Sequence, residues 1–236
     1  MAILYEDIPC IKKLMFNKEH PCNPRVYSLE NMSPLHLACR EADLEIVELV
    51  YSRIKSLELK ESIDSIMSEE NEESRQFNSL CMLIGVKTVS TYPKHVSSLM
   101  KQLHKKAKEM DPLNYRFVKT IIDKKFKKAM GETDLKMKGH LDKAGEEKFT
   151  CLHLACKDGR VDVVEFILYN GADQNLRTME RETALHISAH KGHTEVVKKL
   201  VEAGCPVEAK NIAGETAMHE AAKADQTEVI QYLSDK

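Results

Sequence analysis

The sequence predicts an all-α solenoid of stacked helix pairs, and three observations carry that prediction. A six-residue phrase recurs as Thr-Cys-Leu-His-Leu-Ala from Thr150, Thr-Ala-Leu-His-Ile-Ser from Thr183 and Thr-Ala-Met-His-Glu-Ala from Thr216, at steps of 33 residues. A fourth copy, Ser-Pro-Leu-His-Leu-Ala, starts at Ser33. Each copy is followed by apolar residues at helical spacing, such as Val163, Val164, Ile167 and Leu168. A fixed period of this size marks units that cannot bury their apolar face alone and must stack on their neighbours.

Each element of the repeat has a local reason. Thr or Ser just before an apolar run is placed to cap a helix, its hydroxyl satisfying backbone N–H groups of the first turn. Gly159 and Gly192 then close the inner helix, where a left-handed residue without Cβ is favoured, and Ala42 and Asp225 depart from that pattern. The outer helices follow at Val163–Leu168, at Val196, Val197, Leu200 and Val201, and at Val229, Ile230 and Leu233. Helix pairs are therefore expected over 33–50, 150–169, 183–202 and 216–233.

Phrase, period and the outgoing turns Gly171-Ala172-Asp173-Gln174-Asn175 and Gly204-Cys205-Pro206-Val207-Glu208 resemble the ankyrin repeat. The turn glycine before the phrase stands at Gly214 but is replaced by Arg181. The resemblance implies β-turn tips between helix pairs, structural roles for His36, His153, His186 and His219, and a single domain of about five to seven units, some eroded. It divides the chain into a truncated repeat (1–31), a repeat (32–57), an acidic loop (58–75), degenerate repeats (76–148) and repeats at 149–178, 179–211 and 212–236. Ala2 aligns with Ala155 and Lys236 follows an outer helix directly, so a segment of a longer array is expected.

The middle lacks the phrase. Glu58 to Glu73 holds seven acids and one base, a composition expected to form a loop in part. Ser79–Gly85 reads as a worn inner helix with Met82 in the His slot, His95–Leu103 as its outer helix, and Phe117–Ile122 as another outer helix. One or two eroded repeats would thus bridge the gap. From Lys94 to Lys143 there are 14 bases against six acids, densest at Lys124-Lys125-Phe126-Lys127-Lys128. Two readings stand: contact with an anionic surface, or the favoured one, a solvated helix face without nucleic-acid recognition, since no aromatic stacking set accompanies the lysines.

Composition bounds function. With 236 residues, 42% hydrophobic, 31% charged and net charge −2, the profile is globular, and no apolar run approaches the ~20 residues of a membrane helix. Seven Cys at irregular spacings read as reduced thiols, hence a cytoplasmic location. The pairs His36/Cys39 and His153/Cys156 share a helix face as metal half-sites would, but Ala189 and Ala222 fill the Cys slot elsewhere, so no metal is expected. Cys151 has no residue placed to orient a catalytic His, and no phosphate-cradling glycine motif occurs. No catalytic residue, cofactor or enzyme activity is expected.

By the resemblance, the function is a protein–protein interaction scaffold binding another protein on its concave side. That side would comprise the tip residues Arg177, Met179, Glu180, Glu182, Lys210, Ile212, Ala213 and Glu215. The inner helices would add Lys157, Asp158, His190, Lys191, Lys223 and Ala224. The alternative is the cytosolic repeat domain of a larger protein such as a membrane ion channel.

Overall fold

The computed structural model describes residues 32–68, 75, 96–110 and 115–236. Helices α1 (Pro34–Glu41), α2 (Leu44–Met67), α3 (Val96–Met110), α4 (Tyr115–Asp142), α5 (Cys151–Lys157), α6 (Val161–Tyr169), α7 (Ala184–Lys191), α8 (Thr194–Glu202), α9 (Ala217–Lys223) and α10 (Thr227–Ser234) follow in order. Among the described residues there is no strand. The chain forms two compact units, 1–53 with 138–236, and 54–137.

The first unit is the solenoid. Inner helices α1, α5, α7 and α9 stack side by side, and outer helices α6, α8 and α10 form the second layer. Its core is a strip, with Leu35, Leu152, Leu185, Ile167 and Leu200 all at most 1% exposed. Burying each such side chain contributes roughly 1.5–3 kcal/mol. Tyr51 of α2 meets Phe166 of α6 edge to face, with ring centroids 5.3 Å apart.

In all four copies the Ser or Thr and the His three residues on form a reciprocal capping box. The imidazole stands where Glu or Gln usually completes this motif. Thr183 N–H donates to Nδ1 of His186 at 3.2 Å, and the Thr183 hydroxyl lies 2.8 Å from the same nitrogen. Nδ1 therefore accepts, which puts the ring proton on Nε2, and Nε2–H donates to the Glu215 carbonyl at 3.1 Å. Each box thereby caps its own helix, and that of His186 also grips the next tip.

The first and second copies are neighbours in space. Helix α1 packs directly on α5, and His36 Nε2–H donates to the Lys143 carbonyl at 2.8 Å. The expected bridging repeats are thus corrected: among the described residues none stands between α1 and α5 in the stack. Thr150 follows Ser33 by 117 residues, and setting aside the 84 residues of 54–137 leaves the repeat step of 33. The intervening segment is an insertion that preserves register.

That insertion makes the second unit, whose apolar cluster joins Leu59 and Ile63, Leu103 and Ala107, and Ile121, Ile122, Phe126 and Ala129. The loop expected over 58–75 is corrected over Glu58–Met67, which is helical. Ile54, Leu59 and Ile63 fall on a buried face, while Glu61 and Asp64 face solvent. Glu58 itself is buried and pairs with Lys136 at 3.5 Å. The expected degenerate repeats over 76–148 are likewise replaced, where described, by helices of 15 and 28 residues, longer than repeat helices. Ser79–Gly85 and the truncated repeat at 1–31 lie outside the described residues.

Candidate functional site

The tips are short turns joined in a row. Thr178 N–H donates to the Glu182 carbonyl at 3.0 Å and Asn211 N–H to the Glu215 carbonyl at 2.9 Å, closing two of them. Met179 N–H donates to the Glu147 carbonyl at 3.0 Å and Ile212 N–H to the Glu180 carbonyl at 2.9 Å, linking tip to tip. Each turn needs one left-handed residue, supplied by Lys148 (φ 61°), Arg181 (φ 61°) and Gly214 (φ 81°) at the repeat period. The missing glycine at 181 therefore does not abolish the tip; an arginine adopts its conformation, at a steric cost.

Tips and inner helices enclose a trench of about 450 Å³. It gathers Lys157, Glu180, Glu182, His190, Lys191, Ile212, Ala213, Glu215 and Lys223 from the expected surface. Met179 (63% exposed) and Ile212 (70% exposed) project from adjoining tips as uncovered apolar side chains. Asp158, Arg177, Lys210 and Ala224 do not line the trench. Arg177 serves the scaffold instead, since its Nη1 donates to the Lys210 carbonyl at 2.8 Å.

Phe149, Ile187, Asn211 and Glu220 also line this face. Glu220 occupies the slot held by Leu154 and Ile187 in other copies, buried on the floor. Asn211 Nδ2 donates to its Oε1 at 3.0 Å, His190 Nδ1 lies 3.3 Å from its Oε2, and Lys223 Nζ stands 3.5 Å away. Lys223 also pairs with Glu215, whose carboxyl that bond holds below the usual range. Phe149, in the slot of Glu182 and Glu215, lines the trench and also a smaller cavity of about 90 Å³ with Met32, Arg40 and Leu154. Burial first, then the charges of Glu220 and Glu180, push the Glu182 carboxyl up. An acid in an apolar phrase slot was a signal available in the sequence.

Cys39, Cys151, Cys156 and Cys205 are free and buried, and burial pushes the Cys205 thiol up to about 12. Among the described residues no group of three or more His, Cys, Asp or Glu side chains could hold a metal, and no helix is long and apolar enough to cross a membrane. The basic run is split by helical phase: Lys125 and Phe126 are buried, while Lys124, Lys127 and Lys128 are exposed.

A family model for three ankyrin repeats matches residues 152–236, and a model of the single repeat matches 30–54. These two segments are ankyrin repeats. No curated protein matches it. Ankyrin repeats are generally protein–protein interaction modules.

Proposed function

We propose that this chain is a non-catalytic scaffold that holds a partner protein in the trench between the tips and inner helices of its repeats. The observation that carries the reading is the convergence on one groove of Lys157, His190, Lys191 and Lys223 with Glu180, Glu182 and Glu215, beside exposed Met179 and Ile212. Exposed apolar side chains rimmed by polar groups mark interaction surfaces. Buried free thiols support the accompanying proposal of a cytoplasmic location. A photo-crosslinking residue placed at Ile212 should capture a partner in cells, whereas the same residue at Glu195, exposed on outer helix α8, should capture none. Capture from Glu195 alone would move binding to the convex side.

A further inference from the structure

The trench changes character along its length. One basic residue stands at the same slot of every inner helix: Arg40, Lys157, His190 and Lys223. Each faces the residue eight positions upstream, and the pairing grades from soft to charged. Arg40 Nη1 lies 3.8 Å from Met32 Sδ, and Lys157 Nζ lies 5.6 Å from the Phe149 ring centroid. His190 faces Glu182 electrostatically, and Lys223 pairs with Glu215.

The consequence is an unequal neutralisation. Arg40 is already held by Glu41, whereas Lys157 makes no ion pair among the described residues and sits beside the apolar Phe149 and Leu154. Glu220 has Asn211, His190 and Lys223 around it, whereas Glu180 and Glu182 make no ion pair among the described residues. One section of the trench thus offers a cation without an ion pair among the described residues, and the adjoining section two carboxylates without one, next to Met179 and Ile212.

We propose that the trench receives an extended segment of a partner protein bearing a carboxylate against Lys157 and a Lys or Arg against Glu180 and Glu182, with an apolar side chain on the Met179–Ile212 tips. The spacing follows from the stack. Neighbouring helices lie about 8–10 Å apart and an extended chain advances about 3.3 Å per residue, so the two charges stand about three residues apart. A partner cation beside Glu182 favours its ionised form, opposing the burial that pushes its carboxyl up. This inference rests on the trench being the binding face, and it adds which chemistry that face selects.

The test uses the whole chain and four fluorescein-labelled peptides of twelve residues in a Gly/Ser frame. The first carries Glu and Arg three residues apart with Leu between; the others replace Glu, Arg or both by Gln. Anisotropy titration should rank the doubly charged peptide tightest, with each neutralisation weakening binding about fivefold at low salt. Lys157→Glu should erase the advantage given by the peptide's Glu alone, and Glu182→Lys that given by its Arg alone. Circular dichroism checks that both variants fold, and Glu180→Lys, at an exposed position, replaces Glu182→Lys if that variant does not. Equal binding of all four peptides, absence of binding at millimolar concentration, or variants that affect all four alike would each overturn the proposal. Preference for a uniformly acidic peptide would overturn it too, pointing to a polyanionic partner. Capture from Ile212 with indifferent peptides refutes the charge pattern and leaves the trench standing; capture from Glu195 alone refutes both.

Discussion

A single imidazole does two jobs at His36 and at His186, and its protonation state decides whether it can. Nδ1 of His186 must accept from the cap while Nε2–H donates to the Glu215 carbonyl, so the neutral ring is required. His186→Ala leaves those groups without their partner and should lower stability by roughly 1–3 kcal/mol in a denaturant melt. Burial lowers His36 and His186 and brings His153 down to about 4. His153 Nε2 faces the carbonyls of Leu176 and Glu182 without completing a hydrogen bond among the described residues. The unfolded chain protonates near pH 6.5 while folded His153 stays neutral, so this residue's contribution to stability should fall as pH drops from about 6.5 to about 4 and stay constant below. His153 alone contributes on the order of 3 kcal/mol to that loss, and His153→Gln should flatten the dependence of melting temperature on pH. Arg181 supplies the opposite kind of residue effect. Its φ of 61° suits glycine, so Arg181→Gly should raise stability by about 1 kcal/mol if relief of the left-handed cost outweighs the added freedom of the unfolded chain. A thermal melt reads the difference.

Helices α1 and α5 have the same relation as α5 and α7, although the insertion separates the first pair in sequence. Joining Arg53 directly to Lys138 restores the repeat step of 33 and should yield a folded, helical array in which α1 still packs on α5. Nuclear magnetic resonance of the deletion variant should show the Leu35 and Leu152 methyl groups in contact; their separation would sink the expectation. The paired helices were legible in the sequence because Thr, His, Gly and the outer apolar residues each satisfy a local need at a fixed offset. The trench was legible for a related reason: a position in one repeat predicts the same position in the next, which assembled Lys157, His190 and Lys223. Glu220 was missed because its slot is read as apolar, and Phe149 because its slot is read as part of a polar turn. The acidic stretch misled for a physical reason. Charge density measures average solubility, whereas helix burial depends on phase, and Ile54, Leu59 and Ile63 keep their phase beneath the acids. In α4 the lysines and Gly131 and Gly139 do not stop the helix, since buried residues such as Phe126, Ala129, Thr133, Met137 and Leu141 recur at helical spacing through them. Lys125→Gln should accordingly cost more stability than Lys127→Gln, measured by urea melts, because only the first is buried.

The whole chain is one sequence folded through two separate cores, and its repeats contact only their neighbours, so stability of the solenoid sums over adjoining interfaces. An insertion that leaves the repeat step intact therefore leaves those interfaces unchanged. The same arrangement makes the first repeat dispensable to the covalent chain in an unusual sense. Were the backbone severed anywhere between Ile54 and Met137, the piece carrying α1 would be kept by noncovalent contacts alone, among them its surface against α5, the His36 bond to Lys143 and the edge contact of Tyr51 with Phe166. Occupancy of that seat would then depend on concentration, and dilution would release Met32 and Arg40 from the smaller cavity while Lys157 and the tips stayed behind. A protein whose row of inner helices is continuous when intact would become, once nicked, a reversible two-fragment complementation pair.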